Sequence, residues 1–371
     1  MLPWIQAWRL AMPTFYQREQ PADHFRTGAH RDGLVPLALA EVVRRTAEAL
    51  DAEPAGPRMI DVVDVGGGDG SLLEAVMSTL TRLDPQLAMR CRPVVVELRP
   101  RPPELSAVIG WIVGPAPDSV PRGLTGVLIA HELLDDVPLE VLQIDDAGRP
   151  REVLVDPTTG HEECGDVASD DAIEWCRAWW PSQSPGERLE VGLARDDVWT
   201  ALTSRLDRGL ALAVDYAHAR EERAVGQYPL GTLAGYRDGR AIPPIANGTM
   251  NVTAHVALDS CAEAAASRAR AAGRECVTRF MTQREALTSL LPEESAIASD
   301  ASARERLEAI GLRSHRAEAI DPAGLGGFTW LIQQFGVATR GDGPNVGVSG
   351  AAAPDTPTFG LVTHRGGTMW T

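Results

Sequence analysis

The sequence contains no lysine: all 35 of its basic residues are arginine. With Ala, Gly and Pro plentiful, this resembles the codon bias of GC-rich bacterial genomes, so any single arginine is a weak functional signal. Positive charge is also short overall, because 51 Asp and Glu leave a formal net charge of −16. Sequence-independent grip on phosphate backbones or anionic lipid needs clustered excess cations, so nucleic acid is not an expected partner. Only five cysteines occur, Cys91, Cys164, Cys176, Cys261 and Cys276, and no two form a C-x-x-C pair. His161 precedes Cys164 by three residues, but no second ligand pair accompanies it, so reduced thiols and no metal centre are expected. No run approaches the ~20 apolar residues of a membrane helix, which argues against membrane insertion. Residues 1–13 carry Trp4, Trp8 and Arg9 instead of the charged start and continuous apolar core of a secretory signal, and a cytoplasmic location is the expectation.

What is present is a chain of 371 residues, 44% hydrophobic, able to fill a sizeable core. Apolar residues at helical spacing predict a helix over 34–50. After Pro54, Gly56 and Pro57, β-rich runs at 59–65, 93–98, 108–113, 126–130 and 210–214 alternate with helical sequence, including 71–83. Runs of Val, Ile and Leu without polar alternation predict strands buried on both faces, hence a mostly parallel, doubly wound α/β sheet covered by helices. Residues 141–208, acidic and turn-rich, read as elaboration on that sheet. Trp175 and Trp179, four apart on one helical face, read as packing residues ahead of ligand stacking. Residues 254–291 read as helical, 301–334 as a final helix followed by a strand at 328–333, and the Gly-, Ala-, Thr- and Pro-rich end as a flexible tail.

The strongest chemical signal is Asp64-Val65-Gly66-Gly67-Gly68-Asp69-Gly70, which closes a strand and opens a helix. Glycines at alternate positions let backbone approach a ligand closely, and the geometry asks for a nucleoside cofactor; a plain tight turn is the alternative. The dinucleotide fingerprint needs its third glycine where Ser71 stands, which shifts the expectation from NAD to S-adenosylmethionine. Glu97 ends the second strand, where an acid can accept both ribose hydroxyls; otherwise it is a solvated surface acid. His131-Glu132-Leu133-Leu134-Asp135-Asp136 follows the fourth strand at the carboxyl edge of the sheet. Glu132 and Asp135 are candidates to orient an acceptor nitrogen and take charge or a proton from it. The alternative is that Glu132 begins a helix and Asp135 and Asp136 face solvent. His131 is a cofactor contact, a base or a structural histidine. Asp215-Tyr216 ends the fifth strand, to shape the pocket or pair with an arginine.

These residues resemble the MidA-type methyltransferases, which include the mitochondrial complex I assembly methyltransferase and many bacterial relatives. The resemblance spans residues 15–333. His24-Phe25-Arg26-Thr27 is similar to the family's Asp-Phe-x-Thr, and Asp64 to Gly70 to its Glu-x-Gly-x-Gly-x-Gly. Val96-Glu97-Leu98 with Pro100, Arg188-Leu189-Glu190-Val191, Asp215-Tyr216, and Gly231-Thr232-Leu233 with Tyr236 also match. Glu132 to Pro138 resembles Asn-Glu-x-x-Asp-Ala-x-Pro, and Asn251 to Val256 resembles Asp-x-Thr-Ala-His-Val. His24, His131, Asp136 and Asn251 stand where the pattern has Asp, Asn, Ala and Asp. The resemblance implies a Rossmann-like class I methyltransferase fold with helical and β insertions. It also implies S-adenosylmethionine held by Asp64, Gly66, Gly68, Gly70, Glu97 and His131, with Phe25 and Thr27 closing over it or packing locally. The implied organisation is an entry segment at 1–57, a methyltransferase domain at 58–335 with an insertion at 141–208 and a helical addition at 254–300, and a tail at 336–371. The implied acceptor is a protein arginine, on a respiratory complex I subunit by resemblance, or a small cationic molecule. A noncatalytic assembly factor retaining the fold is the rival reading; a nicotinamide-dependent oxidoreductase is disfavoured by Ser71.

Overall fold

A computed structural model describes residues 1–18, 33–237, 240–291, 316–322 and 324–336. Seven strands form the central sheet: β1 (Ile60–Val65), β2 (Cys91–Glu97), β3 (Gly110–Val113), β4 (Leu124–His131), β5 (Leu206–Asp215), β6 (Cys276–Thr282) and β7 (Thr329–Phe335). Their order is β6-β7-β5-β4-β1-β2-β3. β1 to β5 are mutually parallel, and β7 runs antiparallel to both of its neighbours. The strand order reverses between β1 and β4, and at such a switch point an open parallel sheet leaves a crevice beyond its carboxyl ends.

Both faces of this sheet are covered, and β1 and β4 are buried at nearly every position. Val62, Val127, Ile129, Leu210 and Leu212 point to one side, against α2 (Leu34–Asp51) and α3 (Ser71–Leu83). Val63, Leu128, Ala130, Ala211 and Ala213 point to the other, against α5 (Leu193–Thr203) and α6 (Leu258–Ala271). The result is a Rossmann-like, doubly wound α/β fold. Two small sheets stand beside it, one built from Leu2–Pro3, Pro150–Val155, Glu140–Ile144, Arg188–Val191 and Glu162–Val167, the other from Arg240–Ile242, Ala234–Arg237 and Asn251–Thr253. Segment 141–208 therefore builds a sheet of its own.

Two expectations need correction. The stretch 254–291 is not continuously helical: α6 ends before Gly273, whose φ of +67° closes the helix, and β6 follows. The run Val277, Thr278, Phe280 and Thr282 is β-branched and aromatic, and pairing with β7 along its full length decides in favour of strand. The N-terminal segment, expected as a polar, aromatic-bearing entry ahead of the helix at 34–50, carries a helix of its own with an apolar face, α1 (Trp4–Arg18). Its Trp4, Ala7, Trp8 and Ala11 fall on one face and are buried against Leu139, Val141, Val153 and Val155. The strand expected at 328–333 is β7; of the helix expected from 301, residues 316–319 are helical and 301–315 lie outside the described residues, as does the expected tail, 336–371, beyond Gly336. No helix among those described is long and apolar enough to cross a membrane.

Gln333, wholly buried in β7, ties four elements together. It accepts from Trp199 Nε1 of α5 at 2.7 Å and donates to the Ala262 carbonyl of α6 and to Thr278 Oγ1 of β6, both at 2.9 Å. Trp199→Phe would leave the Gln333 oxygen buried without a donor. The expected cost is about 1–3 kcal/mol, read as a lower urea midpoint with an unchanged slope.

Candidate active site

The turn after β1 has the backbone its sequence demands. Gly66, Gly68 and Gly70 have φ of +72°, +60° and +79°, a region costly for residues with a Cβ. A side chain at Gly67 would lie 2.6 Å from Asp64 Oδ2, whereas at Gly68 the space is open, with only Arg99 Nη2 near, at 3.8 Å. Gly68 is thus the point at which backbone is presented to a ligand. Glu97, buried at the tip of β2, accepts from the N–H of Gly68 at 3.1 Å and of Leu98 at 2.8 Å, which holds its carboxylate facing the turn. The alternative of a solvated surface acid fails. An open glycine backbone with an oriented buried acid at the next strand tip fits the adenosine and methionine parts of S-adenosylmethionine. Asp64 sits below the turn with both oxygens unpartnered, and burial, reinforced by Glu97, lifts its carboxyl to about 7.

Across the crevice, the loop after β4 is not helical. Glu132 has φ of +51°, a strained conformation for this residue, and its oxygen lies 3.4 Å from His131 Nδ1. Asp135 is 7% exposed, so it does not face solvent. The loop is pinned from below: Asp215, wholly buried at the end of β5, accepts from the N–H of Leu134 at 2.9 Å and of Asp135 at 3.3 Å. Arg195 of α5, also buried, donates to the carbonyls of Asp135, Val137, Ala254 and His255 at 2.7–3.0 Å. Asp215 thus holds a loop and makes no arginine pair in this arrangement. Another lattice fixes the outer wall: Glu190 accepts from Thr232 N, Thr232 Oγ1 and Leu233 N, and Thr232 Oγ1 in turn accepts from His255 N at 2.8 Å.

The third wall is one that sequence reading missed. Tyr16, near the end of α1, donates its hydroxyl to Asp136 Oδ2, and Asn251 lies against the same carboxylate. Two of the positions at which the chain departs from the resembled pattern, Asp136 and Asn251, therefore face each other. Tyr216 stacks toward His255 with ring centroids 5.9 Å apart and packs on Phe328 at 4.0 Å. Trp175, by contrast, bonds Asp196 and Ser260 inside a packed cluster, away from this site. Phe25 and Thr27, with His24, lie outside the described residues.

Burial dominates the electrostatics. It pushes Asp215 up to about 8, aided by Glu132, and Asp136 to about 6; Asp135 rises well above the carboxylate range, with Asp215 and Asp136 adding to the effect. It lowers His131 and His255 to about 4, so both imidazoles are neutral near pH 7. A carboxyl raised above its unfolded value near 3.9 keeps its proton in the native state where the unfolded chain has lost it, so its contribution disfavours folding as pH rises. From about pH 7 to about pH 8 histidine is mostly neutral in both states, and the raised acids, Asp215 above all, dominate the change in occupancy. Stability is expected to fall across that window in urea titrations, and Asp215→Asn to flatten the fall.

A family model described as "Putative S-adenosyl-L-methionine-dependent methyltransferase" matches residues 38–274, more than half of the chain. Among solved structures, a superfamily member from Burkholderia thailandensis bound to S-adenosyl-homocysteine is 20% identical with a TM-score of 0.72, over 91% of this chain and 89% of that one. A native crystal structure of an uncharacterized protein of that superfamily from the same organism is 21% identical with a TM-score of 0.69, over 91% and 88%. At such identity these likenesses speak to the fold, which they share. No curated protein sequence matches the chain. Its sequence match, its strand order and its glycine turn agree: the chain belongs to this family of S-adenosylmethionine-dependent methyltransferases.

Proposed function

We propose that the enzyme is of MidA type and methylates a cationic nitrogen, a protein arginine or a small cationic acceptor. The observation that carries this reading is the placement of Glu132, Asp135 and Asp136 on the loop that faces the glycine turn and Glu97 across one crevice. Asp64, Gly66, Gly68, Gly70 and Glu97 would hold S-adenosylmethionine, with His131 beside them as a neutral contact. When bound, the cofactor supplies an electrophilic methyl group. Glu132, on its strained backbone, would orient the acceptor N–H and take its proton. An acid-lined wall attracts a cation and repels a carboxylate acceptor.

One observation favours a second reading, a noncatalytic assembly factor that keeps the fold and the cofactor site. Burial raises the Asp135 carboxyl well above the ordinary carboxylate range, with Asp215 and Asp136 adding to the effect, which weakens its share in orienting an acceptor beside Glu132.

Calorimetric titration with S-adenosylmethionine, S-adenosylhomocysteine and NAD, joined to transfer of labelled methyl groups to arginine-bearing proteins, separates the readings. Micromolar binding of the first two ligands and none of NAD is expected. Glu97→Ala should weaken binding about tenfold or more, the loss of a charge-assisted pair of hydrogen bonds. Glu132→Gln should leave binding intact and slow transfer about a hundredfold. Absence of cofactor binding would overturn the proposal, and binding without transfer, indifferent to Glu132→Gln, would establish the scaffold.

A further inference from the structure

Three buried carboxyls of the acceptor side, Asp135, Asp136 and Asp215, each leave Oδ1 without a hydrogen-bond partner. Unpaired buried acceptors are costly and uncommon, so three on one loop and the strand beneath it point to a donor-rich group that completes them. The three are not equivalent. Asp215 spends Oδ2 on the loop's own N–H groups, and Asp135 is fixed by its backbone on both sides. Asp136 alone among them is held through its side chain by an outer element, Tyr16 of α1, and it faces Asn251 of the strand Asn251–Thr253. Its carboxyl is raised to about 6, less than that of Asp215, because the Tyr16 hydrogen bond and Arg195 oppose its burial.

We propose that Asp136, held by Tyr16 with Oδ1 left unpaired, is the acceptor-binding residue and recognises a cation bearing several N–H groups. Tyr16 is its positioning residue. The inference rests on the methyltransferase reading but names a residue outside the pair, Glu132 and Asp135, that the sequence singles out. A cation with several N–H donors satisfies the open oxygens of Asp136 and its neighbours together, which a hydroxyl with one proton does not. The phenol is well placed to position Asp136, because the charges of Asp136, Asp135 and Glu97 all act on it, which sets it between the cofactor side and the acceptor loop.

The test uses the full chain loaded with S-adenosylhomocysteine and titrated with N-ethylguanidinium, followed by NMR. Saturable binding is expected, weakened at least tenfold by Asp136→Asn while S-adenosylhomocysteine affinity, which reports an intact fold, stays unchanged. Asp136 is faced by Tyr16, Asn251, Asp135, Arg195 and Glu97. Of these, the Tyr16 hydroxyl donates to the charged form, so Tyr16→Phe should move the pH midpoint of probe binding upward. A general loosening of the site would expose Asp136 and move that midpoint downward. Probe binding indifferent to Asp136→Asn, a downward midpoint in Tyr16→Phe, or no saturable binding would each overturn the inference. Failure of the wild-type chain to bind S-adenosylhomocysteine would instead sink the methyltransferase reading beneath it.

Discussion

A buried guanidinium that bonds to backbone instead of to an acid organises this molecule's chemistry. Arg195 is 1% exposed and gives its donors to four carbonyls, two on the loop after β4 and two in the segment after Thr253. Trp8 of α1 lies over it, 6.0 Å from ring centroid to guanidinium carbon. One side chain thus connects the central sheet, the hairpin that carries Asn251 and the N-terminal helix that carries Tyr16. Lysine could not substitute, because a single ammonium cannot span four acceptors in fixed directions. Removing the guanidinium would leave four buried carbonyls and an acid-rich pocket without its central cation, a type of loss that costs several kcal/mol.

The same cation explains why the pocket tolerates so much acid. Arg195 opposes the rise of Asp135, Asp136 and Asp215, but burial outweighs it at each. The native site is therefore a mixture of neutral and charged carboxyls, with neutral imidazoles at His131 and His255. A cationic ligand entering such a place displaces protons from the acids it meets, so its affinity is tied to pH. Charge at this site is set by desolvation, and it can change when a ligand arrives.

How far the sequence could be read follows from how local each feature is. The glycine turn was legible because a positive φ is a property of one residue and its neighbours, and Glu97 because a strand tip is a local address. The parallel core was legible because strands buried on both faces lose polar alternation. β6 was not, since its short run is settled by pairing with a strand far along the chain. Arg195 was hidden by composition: in a chain with 35 arginines and no lysine, nothing marks one of them. Tyr16 was hidden by distance, 120 residues from its partner Asp136. The upward shift of the Asp135 carboxyl was beyond sequence altogether, because burial is a property of the assembled site.

The division between legible and illegible parts tracks a division of labour. The cofactor side is built from consecutive residues at the ends of β1 and β2, where geometry is dictated by short segments of backbone. The side opposite is assembled from α1, the loop after β4, the end of β5 and the strand at Asn251, brought together by Arg195, Asp215, Glu190, Tyr16 and the Trp4 and Trp8 face of α1. Substitutions on the first side meet glycine sterics and a strand register, and few are tolerated. On the second side a carboxylate can be placed at 136 and an amide at 251 while the surrounding scaffold keeps its hydrogen bonds, because neither residue contributes to the Arg195 clamp through its side chain. On the proposed assignment, acceptor choice changes by exchange of side chains across a cleft whose walls are fixed elsewhere, and the residues proposed for the cofactor need not respond.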